Sequence, residues 1–309
     1  MKPAVIIAGP TASGKSGCAL AVAAEFDGTI INADAMQLYK ELSILTDRPG
    51  PADLARAPHR LYGVLSATDP CSAGRWRTLA MKELSIASSE GRLPIVVGGT
   101  GLYLKALMSG LAPVPPVAPS VRRETRLLFE HLGEEEFRAE LKRRDPEMED
   151  LPRDTQRLLR AFEVLAATGK PLREWQQLTR GENRESYRYA CIVFDPPREA
   201  LYAAIEHRFE RMVQQGVLEE VRNVTDLDPS LPAMKAVGLK ELAAQLRGEI
   251  ELAEAIRRAK QASRNYAKRQ VTWFRHQLPG ALRLSAQFSE SLSLKIFSFI
   301  RQFLLTPAE

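Results

Sequence analysis

Apolar positions run along the chain in two alternating registers. Residues 3–8, PAVIIA, form a short continuous apolar run that predicts a buried strand. Residues 14–26, GKSGCALAVAAEF, are rich in Ala and read as a helix. GTIINAD (28–34) predicts a second strand that ends in polar residues. RLPIVVGGTG (92–101) predicts a third, apolar enough to be covered on both faces. YACIVFDPP (189–197) predicts a fourth. Strands alternating with helices predict an α/β fold, a parallel sheet flanked by helices with right-handed crossovers.

Between the third and fourth strands the pattern changes. LAPVPPVAPS (111–120) holds four prolines in ten residues and cannot be the interior of a helix. It reads as a stiff linker. Three helical patterns without strand signal follow: 134–148, 154–170 and 171–181. Asp154 is placed to cap the second and Gly169 to end it. The block predicts an all-helical insertion at 113–188, between a first part of the core at 1–112 and its completion at 189–309. The last part is predicted helical over 198–215, 217–224, 238–246 and 249–276.

Composition narrows the class. The chain has 309 residues, 45% hydrophobic and 26% charged, ordinary for a globular protein with a real core. Three scattered cysteines give no disulfide framework and suggest a reducing compartment. The four histidines lack metal-ligand spacing. Neither a signal peptide nor a membrane-length apolar run is present, so a soluble cytoplasmic protein is expected. The net charge of +5 is unevenly placed. Residues 254–283 hold eight Lys and Arg against one acid, Glu254, an excess of seven. Aromatics interleave with these cations, a pattern suited to nucleic acid.

The chemistry begins at residues 9–16, GPTASGKS. Gly9, Pro10, Thr11, Ala12, Ser13, Gly14, Lys15 and Ser16 match a phosphate loop between strand and helix. Backbone N–H groups and a helix N-terminus converge on phosphate, Lys15 adds a charge, and Ser16 offers a hydroxyl to Mg²⁺. Cys18 reads as a packing residue. The strand PIVVGGT ends without a carboxylate, so the acid that an ATPase needs for Mg²⁺ is missing there. A kinase of a small metabolite or nucleoside, or another phosphate chemistry, remains. A non-catalytic RNA-binding protein with a vestigial loop is a third reading. Asp34 stands just past the second strand, at the edge where such sheets bind ligands. It is placed either to cap a helix starting at Ala35 or to act as a base or a Mg²⁺ support.

GPTASGKS, NADAMQLY, VVGGTGLYLKAL, DTQRLLRAFEV, MKAVGLKEL and RNYAKRQVTWFR occur in this order. Over nearly its whole length the chain therefore resembles the tRNA dimethylallyltransferase family. The resemblance implies a phosphate-loop NTPase-like core and transfer of a dimethylallyl group from its diphosphate to N6 of the adenosine 3′ to a tRNA anticodon. It implies that Mg²⁺ assists and that the loop holds the diphosphate of the prenyl donor. It makes Asp34 the general base, with Thr100 and Arg208 at the reacting groups. Read locally, Thr100 is a strand-end hydroxyl, Arg208 a solvated helix arginine, and His207 structural or solvent-facing. The resemblance assigns tRNA contact to Asp34, Ala35, Met36, Gln37 and Thr100. It adds Arg122, with Gln156, Arg157, Leu158, Leu159 and Arg160 of the insertion, to the anticodon stem-loop. It further adds Lys235, Gly238, Lys268, Arg269, Gln270, Trp273 and Arg275. Trp273 and Phe274 are adjacent and cannot face one side of a helix. Three departures stand out. Ala35 replaces a usual serine. LTDRP (45–49) replaces GTAKP, so Arg48 stands in for a lysine and Asp47 is a new charge. Ala204 lies where an arginine is common. A monomer is expected.

Overall fold

The computed structural model describes residues 1–148, 150–178 and 187–306. In chain order the first elements are β1 (Lys2–Ala8), α1 (Lys15–Glu25), β2 (Gly28–Asn32), α2 (Pro51–Leu54) and β3 (His59–Arg60). Next come α3 (Ala73–Ser89), β4 (Leu93–Gly98), α4 (Gly101–Ser109), α5 (Pro119–Arg144), α6 (Thr155–Thr168) and α7 (Leu172–Leu178). The chain then continues through β5 (Tyr187–Phe194), α8 (Arg198–Gln214), α9 (Val217–Arg222), α10 (Leu239–Leu246), α11 (Leu252–Gln277), β6 (Leu282–Leu284) and α12 (Ser293–Leu305). The contacts divide it into two compact units, residues 1–108 with 185–309, and residues 109–184.

The first unit is built on one parallel sheet in the order β3-β2-β4-β1-β5-β6. The four expected strands are its centre. The two edge strands, of two and three residues, are too short to leave a periodic signal. Side chains alternate across the sheet. Along β1, Ala4, Ile6 and Ala8 enter one core with Trp76, Phe209 and Phe274, while Val5 and Ile7 enter the other with Cys18, Val22 and Ile300. Both faces are covered, which is why these strands read as unbroken apolar runs. The second core is completed by α12, a helix the sequence reading did not anticipate. Ile296 and Ile300 are fully buried there, and Phe297 meets Phe26 edge-on at 5.7 Å.

The second unit is helical. Pro119 occupies the first turn of α5, so the last residues of the expected linker already belong to a helix. Gly133, at φ 76, interrupts α5 before it continues to Arg144. Asp154 caps α6, its carboxylate accepting from the Arg157 N–H at 3.0 Å, and Gly169 ends it in the left-handed region. The apolar stripe of α6 packs on α5, and Phe137 and Phe162 stand 4.8 Å apart in this core. Leu158 is fully buried there. It is therefore a core residue, out of reach of RNA, contrary to the expectation from the resemblance. Of the expected helix 171–181, Leu172–Leu178 is helical and residues 179–181 lie outside the described set. Strand β5 starts at Tyr187, so the boundary expected at 188 falls inside a strand.

The end of β4 approaches the end of β2 very closely. A Cβ on Gly98 would lie 2.2 Å from the carbonyl of Ala33. Gly98→Ala should therefore force two central strands apart. A loss of about 1–3 kcal/mol is expected, read as a lower urea midpoint at unchanged slope, and an unchanged midpoint would contradict the contact.

Candidate active site

The loop after β1 is shaped by backbone conformation. Ala12 and Gly14 have φ of 63 and 86, and Gly14 opens α1 in the left-handed region without a side-chain cap. The first N–H groups of α1 are thus left for a ligand. Ser13 is fully buried and its hydroxyl has no hydrogen-bond partner among the described residues. Lys15 Nζ turns back to the carbonyl of Pro10 at 2.7 Å. Burial brings its pKa down to about 8, with Arg208 adding to the effect and Asp34 and Asp47 opposing it. Cys18 is buried behind the loop, where desolvation pushes its thiol up to about 12 and leaves it a packing group.

Gln270, on α11, ties this loop to the sheet. Its Oε1 accepts from the Thr11 N–H at 2.9 Å, and its Nε2 donates to the carbonyl of Gly99 at 2.9 Å. It is 5% exposed and both ends of its amide are committed to backbone, so within the chain it acts as a structural clamp at a position the resemblance assigned to tRNA contact. The helix comes this close because β4 ends in glycine. A Cβ on Gly99 would sit 2.1 Å from Gln270 Nε2, and one on Gly101 would sit 2.3 Å from the Trp273 ring. Trp273 packs over Gly101, and buried Phe274 meets it edge-on at 5.3 Å in the same core, so the two adjacent rings share one side of the helix, contrary to the sequence expectation.

Asp34 is held by a polar net. Its N–H donates to Asn32 Oδ1 at 2.7 Å, and Asn32 Nδ2 donates to the carbonyls of Asp34 and Leu61 at 2.9 Å. Trp76 Nε1 donates to the Asn32 carbonyl at 2.9 Å. The α-helix expected from Ala35 does not form. Met36–Leu38 make a single 3-10 turn, and Asp34 Oδ1 accepts from the Met36 N–H at 3.0 Å. Capping and exposure to the cavity thus coexist in one carboxylate. Thr100 Oγ1 accepts from the Ala35 N–H at 2.9 Å, and Thr100 and Tyr266 line one cavity. Burial raises the Tyr266 pKa, so its phenol stays protonated. Tyr266 is one of the aromatics interleaved with the cations of α11, and it lines that cavity. Its signal was present, because Tyr266, Gln270 and Trp273 share one face of α11 and meet Thr100, Gly99 and Gly101 in turn.

Two cavities open here. One, of about 270 Å³, is lined by the loop, Tyr62, Asp47, Ala204, Arg208 and Arg211. The other, of about 180 Å³, is lined by Ala35, Met36, Leu45, Val237, Thr100 and Tyr266. Thr11, Asp34, Thr46 and Arg208 line both. Arg208 is far from a solvated helix arginine. Its Nε is buried with no hydrogen-bond partner among the described residues, and desolvation lowers its pKa. Glu220 anchors the segment that carries Thr46 and Asp47, accepting from the N–H groups of Ser43, Ile44 and Leu45 at 2.7–2.8 Å. Arg48 turns away, donating to the Tyr39 carbonyl at 3.0 Å and covering Gly63. Arg48, which stands in for the family lysine, does not line the cavity, whereas Asp47, the new charge, does. The hydroxyl of Ser16 and the carboxylates of Asp34 and Asp47 are hard oxygen donors facing one cavity, a set that suits Mg²⁺ shared with phosphate. Among the described residues no cluster of three His, Cys, Asp or Glu could hold a metal unaided.

The remaining residues fall into three groups. Gln37 donates to the Thr46 carbonyl at 2.9 Å, Lys235 is exposed at the second cavity, and Gly238, at φ 93, is a buried cap of α10 with no side chain to offer. On α11 the positive excess is partly matched: Arg257 and Arg258 share Glu254, Lys260 pairs with Glu210, and Arg264 with Glu206. Lys268 and Arg269 are exposed, and Arg275 lies 3.4 Å from Asp195. His207 is exposed. On the helical unit Arg122, Gln156 and Arg157 are exposed, while Leu159 and Arg160 are half-buried. Among the described residues no helix is long and apolar enough to cross a membrane.

Known proteins resemble this chain from end to end. Residues 37–277 match the IPP transferase family and residues 3–68 the isopentenyl transferase family. A tRNA dimethylallyltransferase of Paramagnetospirillum magneticum is 53% identical over 308 residues, covering 98% of both chains. One of Rhodospirillum rubrum is 49% identical, covering 99% of this chain and 96% of its own. The crystal structure of a full-length tRNA isopentenylpyrophosphate transferase from Bacillus halodurans is similar with a TM-score of 0.72 at 28% identity, over 98% of this chain and 96% of that one. A eukaryotic dimethylallyltransferase solved acting on tRNA gives 0.82 at 25% identity, over 98% of this chain and 80% of that one. A likeness that spans both compact units cannot come from a shared phosphate loop alone, and the chain belongs to the IPP transferase family, the tRNA dimethylallyltransferases.

Proposed function

We infer that the protein transfers a dimethylallyl group from dimethylallyl diphosphate to N6 of the adenosine 3′-adjacent to the anticodon of tRNA. The observation that carries the residue roles is the wall shared by the two cavities, where Asp34 and Arg208 face both. The diphosphate occupies the first cavity, against the loop N–H groups, Lys15 and Arg208. The prenyl carbon and the adenine meet at the second. The amine lone pair forms the C–N bond as the allylic C–O bond breaks, and the electron pair of that bond leaves with the diphosphate. The proton leaves N6 for the Asp34 carboxylate, which the Met36 N–H orients. Thr100 fixes the Asp34–Met36 turn through the Ala35 N–H and faces the same cavity.

The donors that meet the growing charge are in place before reaction, which is how such sites lower a barrier. Ser13 and Arg208 carry buried polar atoms with no protein partner among the described residues, as expected of groups that await an anion. Ser16, with Asp34 or Asp47, would hold Mg²⁺, which when bound screens the charge of the leaving diphosphate. On this reading the exposed cations Lys268 and Arg269, with the exposed face of α6, serve the tRNA. Both cavities are completed within one chain, which supports action as a monomer, and the free cysteines fit a reducing cytoplasm. The comparisons give no support to a metabolite kinase.

Label from dimethylallyl diphosphate should pass into unmodified tRNA with Mg²⁺ present, and ATP consumption without labelled tRNA would replace this reading. Asp34→Asn should keep tRNA affinity and lower kcat by about 10²–10⁴-fold; near wild-type turnover would remove Asp34 as the base. Arg269→Gln should weaken tRNA binding and flatten its dependence on salt by about one ion, and an unchanged slope would place it off the interface. Lys15 gives a pH dependence of known sign. Below about 8 its ammonium is already formed, and above that the anion must bring a proton with it. The Kd for dimethylallyl diphosphate should be flat below pH 8 relative to Lys15→Arg. It should then rise by up to about tenfold per pH unit above it, measured by calorimetry.

A further inference from the structure

Arg211 lies on α8 one turn beyond Arg208 and lines the same cavity as Lys15. Position 204 lines it too, and 204, 208 and 211 fall on one stripe of the helix. At 204 the residue is Ala, so the stripe carries two guanidiniums, at its middle and at its far end. The charges facing the cavity are Lys15, Arg208 and Arg211 against Asp34 and Asp47. With Arg211 the cavity has an excess of one positive charge. Without it the cavity would be neutral, and a poor seat for a polyanion.

Arg211 is not engaged elsewhere. It is exposed, and its side chain makes no ion pair or hydrogen bond among the described residues. Most other arginines and lysines of this surface do have one: Lys260 with Glu210, Arg264 with Glu206, and Arg222 with Glu219. Arg211 is also close enough to Arg208 for its charge to oppose that of the buried guanidinium. Two like charges held side by side favour an anion that bridges them, and a guanidinium presents a fork suited to phosphate oxygens.

We propose that Arg211 is a binding residue for the prenyl donor: its guanidinium holds the phosphate that faces α8, and with Arg208 it sets the preference for a diphosphate over a monophosphate. This rests on the reading of the first cavity as the diphosphate site. The contact is made equally in the ground and transition states, since Arg211 lines only the first cavity, whereas Asp34 and Thr100 line the second. It therefore acts on affinity more than on turnover.

The test compares full-length wild type, Arg211→Gln and the double variant Ala204→Arg with Arg211→Gln. Arg211→Gln should raise KM for dimethylallyl diphosphate about tenfold, with kcat within about twofold and KM for tRNA unchanged. Its calorimetric affinity for inorganic diphosphate should fall in parallel, while that for inorganic phosphate changes little. Ala204→Arg should restore most of the loss, because it returns a cation to the same stripe. Unchanged donor KM and diphosphate affinity in Arg211→Gln would overturn the proposal. So would a rise confined to KM for tRNA, which would make Arg211 an RNA contact. Failure of the wild type to label tRNA would instead count against the prenyl-transfer reading. The binding of inorganic diphosphate would still decide the role of Arg211.

Discussion

The site depends on how closely α11 approaches the sheet. Gln270 spends both ends of its amide on backbone, taking the Thr11 N–H and giving to the Gly99 carbonyl. A buried amide with both ends satisfied is specific, because losing either partner would strand a polar group in the interior. The clamp fixes the phosphate loop to the end of β4. It is possible only because residues 98–101 read Gly-Gly-Thr-Gly, where side chains on the glycines would meet Ala33, Gln270 and Trp273. The one side chain in that run, Thr100, is the one that joins β4 to the Asp34 turn. Loop, carboxylate turn and helix are thus registered to one another through four residues.

That frame lets the protein hold unfavourable charges. Lys15 is pulled down toward neutrality by burial, and Arg208 keeps a buried Nε without a partner. Each costs stability in the absence of an anion, and on the proposed reading a bound diphosphate would offset that cost. Asp34 and Asp47 temper the repulsion and keep Lys15 from falling further. A site of this kind carries its electrostatic work in the fold and needs little rearrangement when charge develops on the leaving group.

The basic helix shows how charge counting must be corrected by geometry. The excess of seven in residues 254–283 already counts Glu254, and Glu206 and Glu210 of α8 offset part of the remainder. Lys268 and Arg269 are exposed in the second half of α11, just after Tyr266, which lines the second cavity with Thr100. On the proposed reading, RNA binding and the wall of the catalytic site would share this one helix.

The sequence by itself determined the elements whose signal is local. The apolar runs of β1, β2, β4 and β5, the loop glycines with Lys15, the cap at Asp154 and the stop at Gly169 all follow from residues within one or two turns of each other. Edge strands β3 and β6 and the helix α12 gave no such warning, because two or three residues have no period and α12 is defined by the core it covers. Only the tertiary structure decided which polar side chains face the cavities. Gln270, Leu158 and Arg48 proved to be a clamp, a core residue and a loop brace. Tyr266 and Arg211 proved to line the cavities, though no local motif marks either. The physical reason is that burial and electrostatic neighbourhood are properties of segments distant in sequence, and α8 and α11 acquire their catalytic faces only when they meet the strand ends.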